Sequence, residues 1–69
     1  MNTLTATVIG NYPNLENHAT AINNGRTDGL YFYANNGTVS VSHPQCGLSE
    51  DVQRMELEWF LNGKKYEIN

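Results

Sequence analysis

The chain has 69 residues, a formal net charge of −3 from seven Asp or Glu against four Lys or Arg, and one cysteine. A chain this short makes one domain and buries only about 60% of the surface it exposes when unfolded, which leaves no room for a deep catalytic cleft. A single cysteine excludes an intramolecular disulfide, and the acidic balance opposes direct binding of nucleic acid, whose affinity draws on clustered cations.

The first residues, Met1 to Ile9, have neither the basic start nor the long apolar run of a secretory signal, and no stretch approaches membrane-spanning length. The expected setting is cytoplasmic, with no membrane contact, and a lone thiol suits a reducing compartment. From Thr3 to Ile9, Leu4, Ala6 and Val8 alternate with threonines, the pattern of a half-buried first strand. Residues 10–14 stop it. Leu15, Ala19, Ala21 and Ile22 then recur at helical spacing behind Asn14 as N-cap, with Glu16 in the first turn, and predict a short helix ending at Asn24-Gly25.

Residues 30–34 and 38–42 flank Asn36-Gly37 and predict a β-hairpin. A two-residue loop pairs Phe32 with Val41 and Ala34 with Val39, gathering apolar residues on one face and Tyr31, Tyr33, Ser40 and Ser42 on the other; a three-residue loop sets Tyr33 against Val39. The first register is preferred because it segregates apolar from polar side chains. Ser49 to Arg54 is ambiguous. As a helix it places Val52, Met55 and Trp59 on one face behind a Ser49 cap; as a strand, Met55, Leu57, Trp59 and Leu61 alternate with Glu56, Glu58 and Phe60. Strict alternation and the following Asn62-Gly63 favour a strand from about Met55, in a second hairpin that sets Trp59 opposite Tyr66 and Leu57 opposite Ile68, with one helical turn at most over 49–52. The expected fold is α+β: a small antiparallel sheet of four to five strands, with two Asn-Gly hairpins and one short helix packed on it, over residues 1–69 as a single domain.

Glu58, Trp59, Phe60, Leu61, Asn62, Gly63 and Lys64 together resemble the hairpin that recurs in MORN-like β repeats. The resemblance covers residues 58–64 once, so it implies no repeat array. What it implies is a non-catalytic β scaffold.

No catalytic, cofactor-binding or metal-binding constellation stands out. His43 and Cys46 are close in sequence, but a structural zinc site needs four ligands and only His18 and a carboxylate remain to complete one. The same pair lacks the framing of a thiol nucleophile, so no enzyme activity is expected. Two surfaces are candidates for binding a partner. In the strand reading Glu56, Glu58 and Phe60 share a face, with Glu58 opposite Glu67 and Lys65 between the acids, which puts an exposed ring inside an acidic patch. Tyr31 and Tyr33 form the other candidate, either buried under the helix or exposed for binding. The leading functional expectation is a non-enzymatic protein-binding module. By analogy of size and charge it acts as a phage-type inhibitor of a host defence complex such as a CRISPR effector, covering a basic, nucleic-acid-binding surface. The alternative is a homo-oligomer, a dimer for instance, formed through a strand edge or the tyrosine face; a small metal-binding regulator comes third.

Overall fold

A computed structural model describes residues 3–68. Met1 and Asn2 of the amino-terminal reading, and Asn69 at the end of the expected second hairpin, lie outside them. The elements run β1 (Ala6–Ile9), α1 (Leu15–Gly25), β2 (Tyr31–Asn35), β3 (Thr38–Ser42), α2 (Glu50–Phe60) and β4 (Lys65–Ile68). They form an α+β fold with one four-stranded antiparallel sheet in the order β2-β3-β1-β4. Strands β1 and β2 run parallel with β3 between them, and β3 and β4 run parallel with β1 between them, so the chain is two interlocked split β-α-β units.

The middle hairpin has the expected register, with Phe32 opposite Val41 and Ala34 opposite Val39. Asn36 and Gly37 hold φ of 51° and 78°, the two left-handed positions of a type I′ turn whose twist matches that of the strands. Helix α1 begins at Leu15 as the spacing predicts. Asn14 occupies its N-cap, but the side chain makes no capping hydrogen bond. Leu15 and Ala19 are buried and Ile22 half-buried, whereas Ala21 faces solvent.

The second hairpin is not formed. Residues 50–60 are α2, and Lys65–Ile68 pairs instead with β1, Tyr66 lying opposite Val8 and Ile68 opposite Ala6. The helical pattern buries Gln53, Leu57 and Phe60, with Leu61 just beyond, a spacing that repeats over two turns. Ser49 caps the helix by accepting the Val52 N–H at 3.2 Å, and Glu50 and Asp51 in the first turn complement the helix dipole. Asn62-Gly63 therefore ends a helix instead of joining two strands: the Lys64 N–H bonds the Leu61 carbonyl at 2.9 Å and Gly63 turns the chain with φ of 84°. The segment that resembles a MORN-like hairpin spans the end of α2 and this turn.

One face of the sheet carries the core. Ala6, Val8, Phe32, Val39 and Val41 pack against Leu15 and Ala19 of α1 and against Leu57, Phe60 and Leu61. Phe60 stacks on Phe32 with ring centroids 4.6 Å apart. Each of the larger side chains contributes about 1.5 to 3 kcal/mol by leaving water. Gln53 ties the helix to the sheet, its Oε1 accepting the Leu4 N–H at 2.7 Å and its Nε2 donating to the Leu48 carbonyl at 3.0 Å. Neither described helix covers the other face, on which Thr7, Ile9, Tyr31 and Tyr33 are exposed. None of the described helices is long and apolar enough to cross a membrane.

Candidate functional site

The surface of α2 follows from its buried stripe. At 100° per residue, Met55 lies about 180° from the centre of that stripe and Trp59 about 40° further round. Both are more than half exposed, at 61% and 56%, and half-buried Val52 continues the ridge by one turn. Glu58 flanks this ridge on one side and Glu56 on the other, each about 60° away.

The expected acidic and aromatic patch is not formed. Glu56 and Glu58 do not share one face with an exposed Phe60. Phe60 is only 3% exposed and sits between Phe32 and His18, whose ring lies 4.9 Å away. The ring that reaches solvent is Trp59. The reason is parity: in a strand, residues 56, 58 and 60 point one way, whereas in a helix residues 56 and 58 diverge and residue 60 turns inward with Leu57. Glu67, expected opposite Glu58, lies opposite Thr7 on β4.

Beside the ridge, Arg26 follows the end of α1 and shows how this surface holds a cation. Its guanidinium stands 5.4 Å from the Trp59 ring centroid and 5.7 Å from that of Phe32. One nitrogen donates to Glu56 at 2.9 Å, and two others grip Asp28 at 3.1 and 2.6 Å. The hydrogen bond from Arg26 holds the Asp28 carboxyl below its usual range. Arg26, Met55, Glu56 and Trp59 line a shallow depression of about 400 Å³.

Tyr31 and Tyr33 are exposed on the uncovered face of the sheet, with ring centroids 4.7 Å apart. Ser42 and Ser40 lie opposite them on β3. The edge strand that bears them is guarded: Asn23 of α1 accepts the Phe32 N–H at 2.8 Å and donates to the Phe32 carbonyl at 2.9 Å. One side-chain amide thereby occupies backbone groups that an incoming strand would need.

His43 and Cys46 line a smaller cleft of about 170 Å³ together with Gln53. The His43 Nδ1 accepts the Gln45 N–H at 3.1 Å, and Cys46 is exposed. His18 is exposed on α1, with its ring against that of Phe60. Among the described residues no group of three or more His, Cys, Asp or Glu is placed to hold a metal ion.

The sequence reading missed Met55 and Trp59 as surface residues, although its helical alternative put both on one face. Ser49 followed by two acids was the available signal for that alternative. No protein-family model, curated protein or solved structure matches the chain.

Proposed function

We propose that the chain is a non-enzymatic protein-binding module that acts by covering a partner's surface, with the outer ridge of α2 as its contact face. Although the Trp59 ring also lies 6.1 Å from that of Phe32, the observation that carries the reading is the exposure of Met55 and Trp59, at 61% and 56%, along one ridge of α2. Surface helices normally put polar residues there, and Trp and Met are the residue types enriched where proteins meet. The use assigned to the module is inhibition of a host complex, such as a CRISPR effector, by occlusion of a basic nucleic-acid channel. Support for that use is the small size and net negative charge of the chain.

The open sheet face supports a second reading, in which the adjoining Tyr31 and Tyr33 rings make the contact. Tyrosine beside serine is a composition that binds proteins well, the ring giving area and the hydroxyls adaptable hydrogen bonds. Self-assembly through the β2 edge is disfavoured by the Asn23 clasp.

Photo-reactive residues placed at Met55 and, separately, at Tyr33 decide between the faces. Cross-linking in host lysate from Met55 to a defined protein, with little from Tyr33, is the expected result. Cross-links from Tyr33 alone, or only to another copy of the chain, refute the assignment.

A further inference from the structure

The charge on this molecule is unevenly placed. Helix α2 carries Glu50, Asp51, Glu56 and Glu58 against Arg54, a balance equal to the −3 of the whole chain. Outside it, Glu16, Asp28 and Glu67 are matched in number by Arg26, Lys64 and Lys65. The apolar ridge therefore sits on the most acidic element of a protein whose remaining charges balance.

Building on the assignment of α2 as the contact face, we infer that its occupant is a cationic amphipathic helix of a partner protein, laid along α2. The apolar positions of such a helix, at the same 3.6-residue period, pack on Val52, Met55 and Trp59. Lysines or arginines on one side of its apolar stripe meet Asp51 and Glu58; the other flank is already closed by Arg26, which is bonded to Glu56. Arg26 already demonstrates the mode of capture, with a guanidinium near the Trp59 ring and bonded to Glu56. A partner cation on the outer side of the indole repeats that arrangement.

An acidic helix would meet like charge from Asp51 and Glu58, and a purely apolar one would leave those two carboxylates without a partner across the contact. The contact is small, since α2 has eleven residues and so spans about 16 Å. Interfaces of this size belong to the weak, transient class, with dissociation constants on the order of micromolar.

Trp59 is the only tryptophan in the chain, so its emission reads the site directly. The probe is a synthetic Leu and Lys peptide of about five turns, patterned as an amphipathic helix, with a Leu and Glu peptide of the same pattern as control. The Lys peptide is expected to shift Trp59 emission to the blue and the Glu peptide to leave it unchanged. Raising salt to about 0.5 M should weaken binding by about tenfold. Met55→Ser and Glu58→Lys should each weaken it by about tenfold, with far-UV circular dichroism confirming that both variants are folded. Equal binding of the two peptides overturns the cationic occupant while leaving α2 as a contact face. If neither peptide moves Trp59, or if backbone amide shifts on peptide addition cluster at Tyr31 and Tyr33, both the occupant and the face are refuted.

Discussion

Trp59 and Phe60 are adjacent large rings, and a strand and a helix assign them opposite fates. Truncating each in turn tests the architecture of the carboxy-terminal third. Phe60 is 3% exposed and stacked on Phe32 at 4.6 Å, so Phe60→Ala removes a core ring and leaves a cavity, at a cost of about 3 to 5 kcal/mol. A domain of this length has on the order of 3 to 10 kcal/mol in total. The variant is therefore expected to be largely unfolded at ambient temperature, and Phe60→Leu, at about 1 kcal/mol, serves as its measurable companion.

Trp59→Ala behaves differently. With the side chain 56% exposed, only about 100 Å² of ring is removed from water, an upper bound of about 2.5 kcal/mol. Compactness of the unfolded chain and the better helix propensity of alanine reduce this, giving about 1 to 2 kcal/mol. Urea denaturation followed by far-UV circular dichroism, which does not depend on the tryptophan, measures each variant. A folded Trp59→Ala beside an unfolded Phe60→Ala is the expected outcome. The reverse ranking would mean that Trp59 is the core ring, and would return residues 55–61 to a strand.

Asn23→Ala removes both side-chain bonds to Phe32 from the β2 edge, with an expected loss of about 1 to 3 kcal/mol in denaturation and increased self-association in light scattering as the edge opens. Asp28 has a carboxyl pKa held below its usual value by the Arg26 hydrogen bond. Its stabilising contribution is therefore present at neutral pH, declines once pH falls below about 4, and is lost as pH passes through the folded-state value; thermal melts of Asp28→Asn should show a shallower acid dependence than the parent chain. Glu58→Lys should leave the stability unchanged to within about 0.5 kcal/mol, because Glu58 is exposed; a larger loss would give it a structural role.

The parts of the fold legible in the sequence are those fixed by local chemistry. Asn36-Gly37 adopts φ > 0 at both positions, and only the two-residue loop separates Phe32, Val39 and Val41 from Tyr31 and Tyr33, so turn and pattern specify the same register. In residues 50–61 the two periods coincide at Leu57 and Leu61, which a strand and a helix both bury. The decision then fell on Met55, Trp59 and Asn62-Gly63, and Asn-Gly serves a helix end as well as a hairpin. The deciding facts were the Ser49 cap, the acids of the first turn and the run of Gln, Arg, Met, Glu and Leu, all good helix formers, together with the pairing of β4 to β1 across more than fifty residues of sequence, which no local pattern encodes. Glu58 is exposed as expected, whereas Glu56 is half-buried against Arg26; their companion ring was not legible, because its identity depends on the period.

The outer face of α2 is only partly dictated by the needs of the fold. Gln53, Leu57, Phe60 and Leu61 already close the core, and Ser49, Glu50 and Asp51 already secure the amino-terminal end. Trp59 is placed in part by packing beside Phe32, with 6.1 Å between ring centroids, but stability alone would favour a polar residue at position 55 and a basic residue in the last turn, where the dipole is negative. The last turn of α2 instead has no basic residue and carries Glu58 beside an exposed indole. Each choice forgoes a few tenths of a kcal/mol in a domain with little to spare. Local choices that run against the fold are where function is expected to reside. On this molecule they coincide on one ridge, whereas Tyr31 and Tyr33 occupy strand positions that suit tyrosine in any case. That contrast, more than exposure itself, ranks α2 above the sheet face as the surface on which a partner acts.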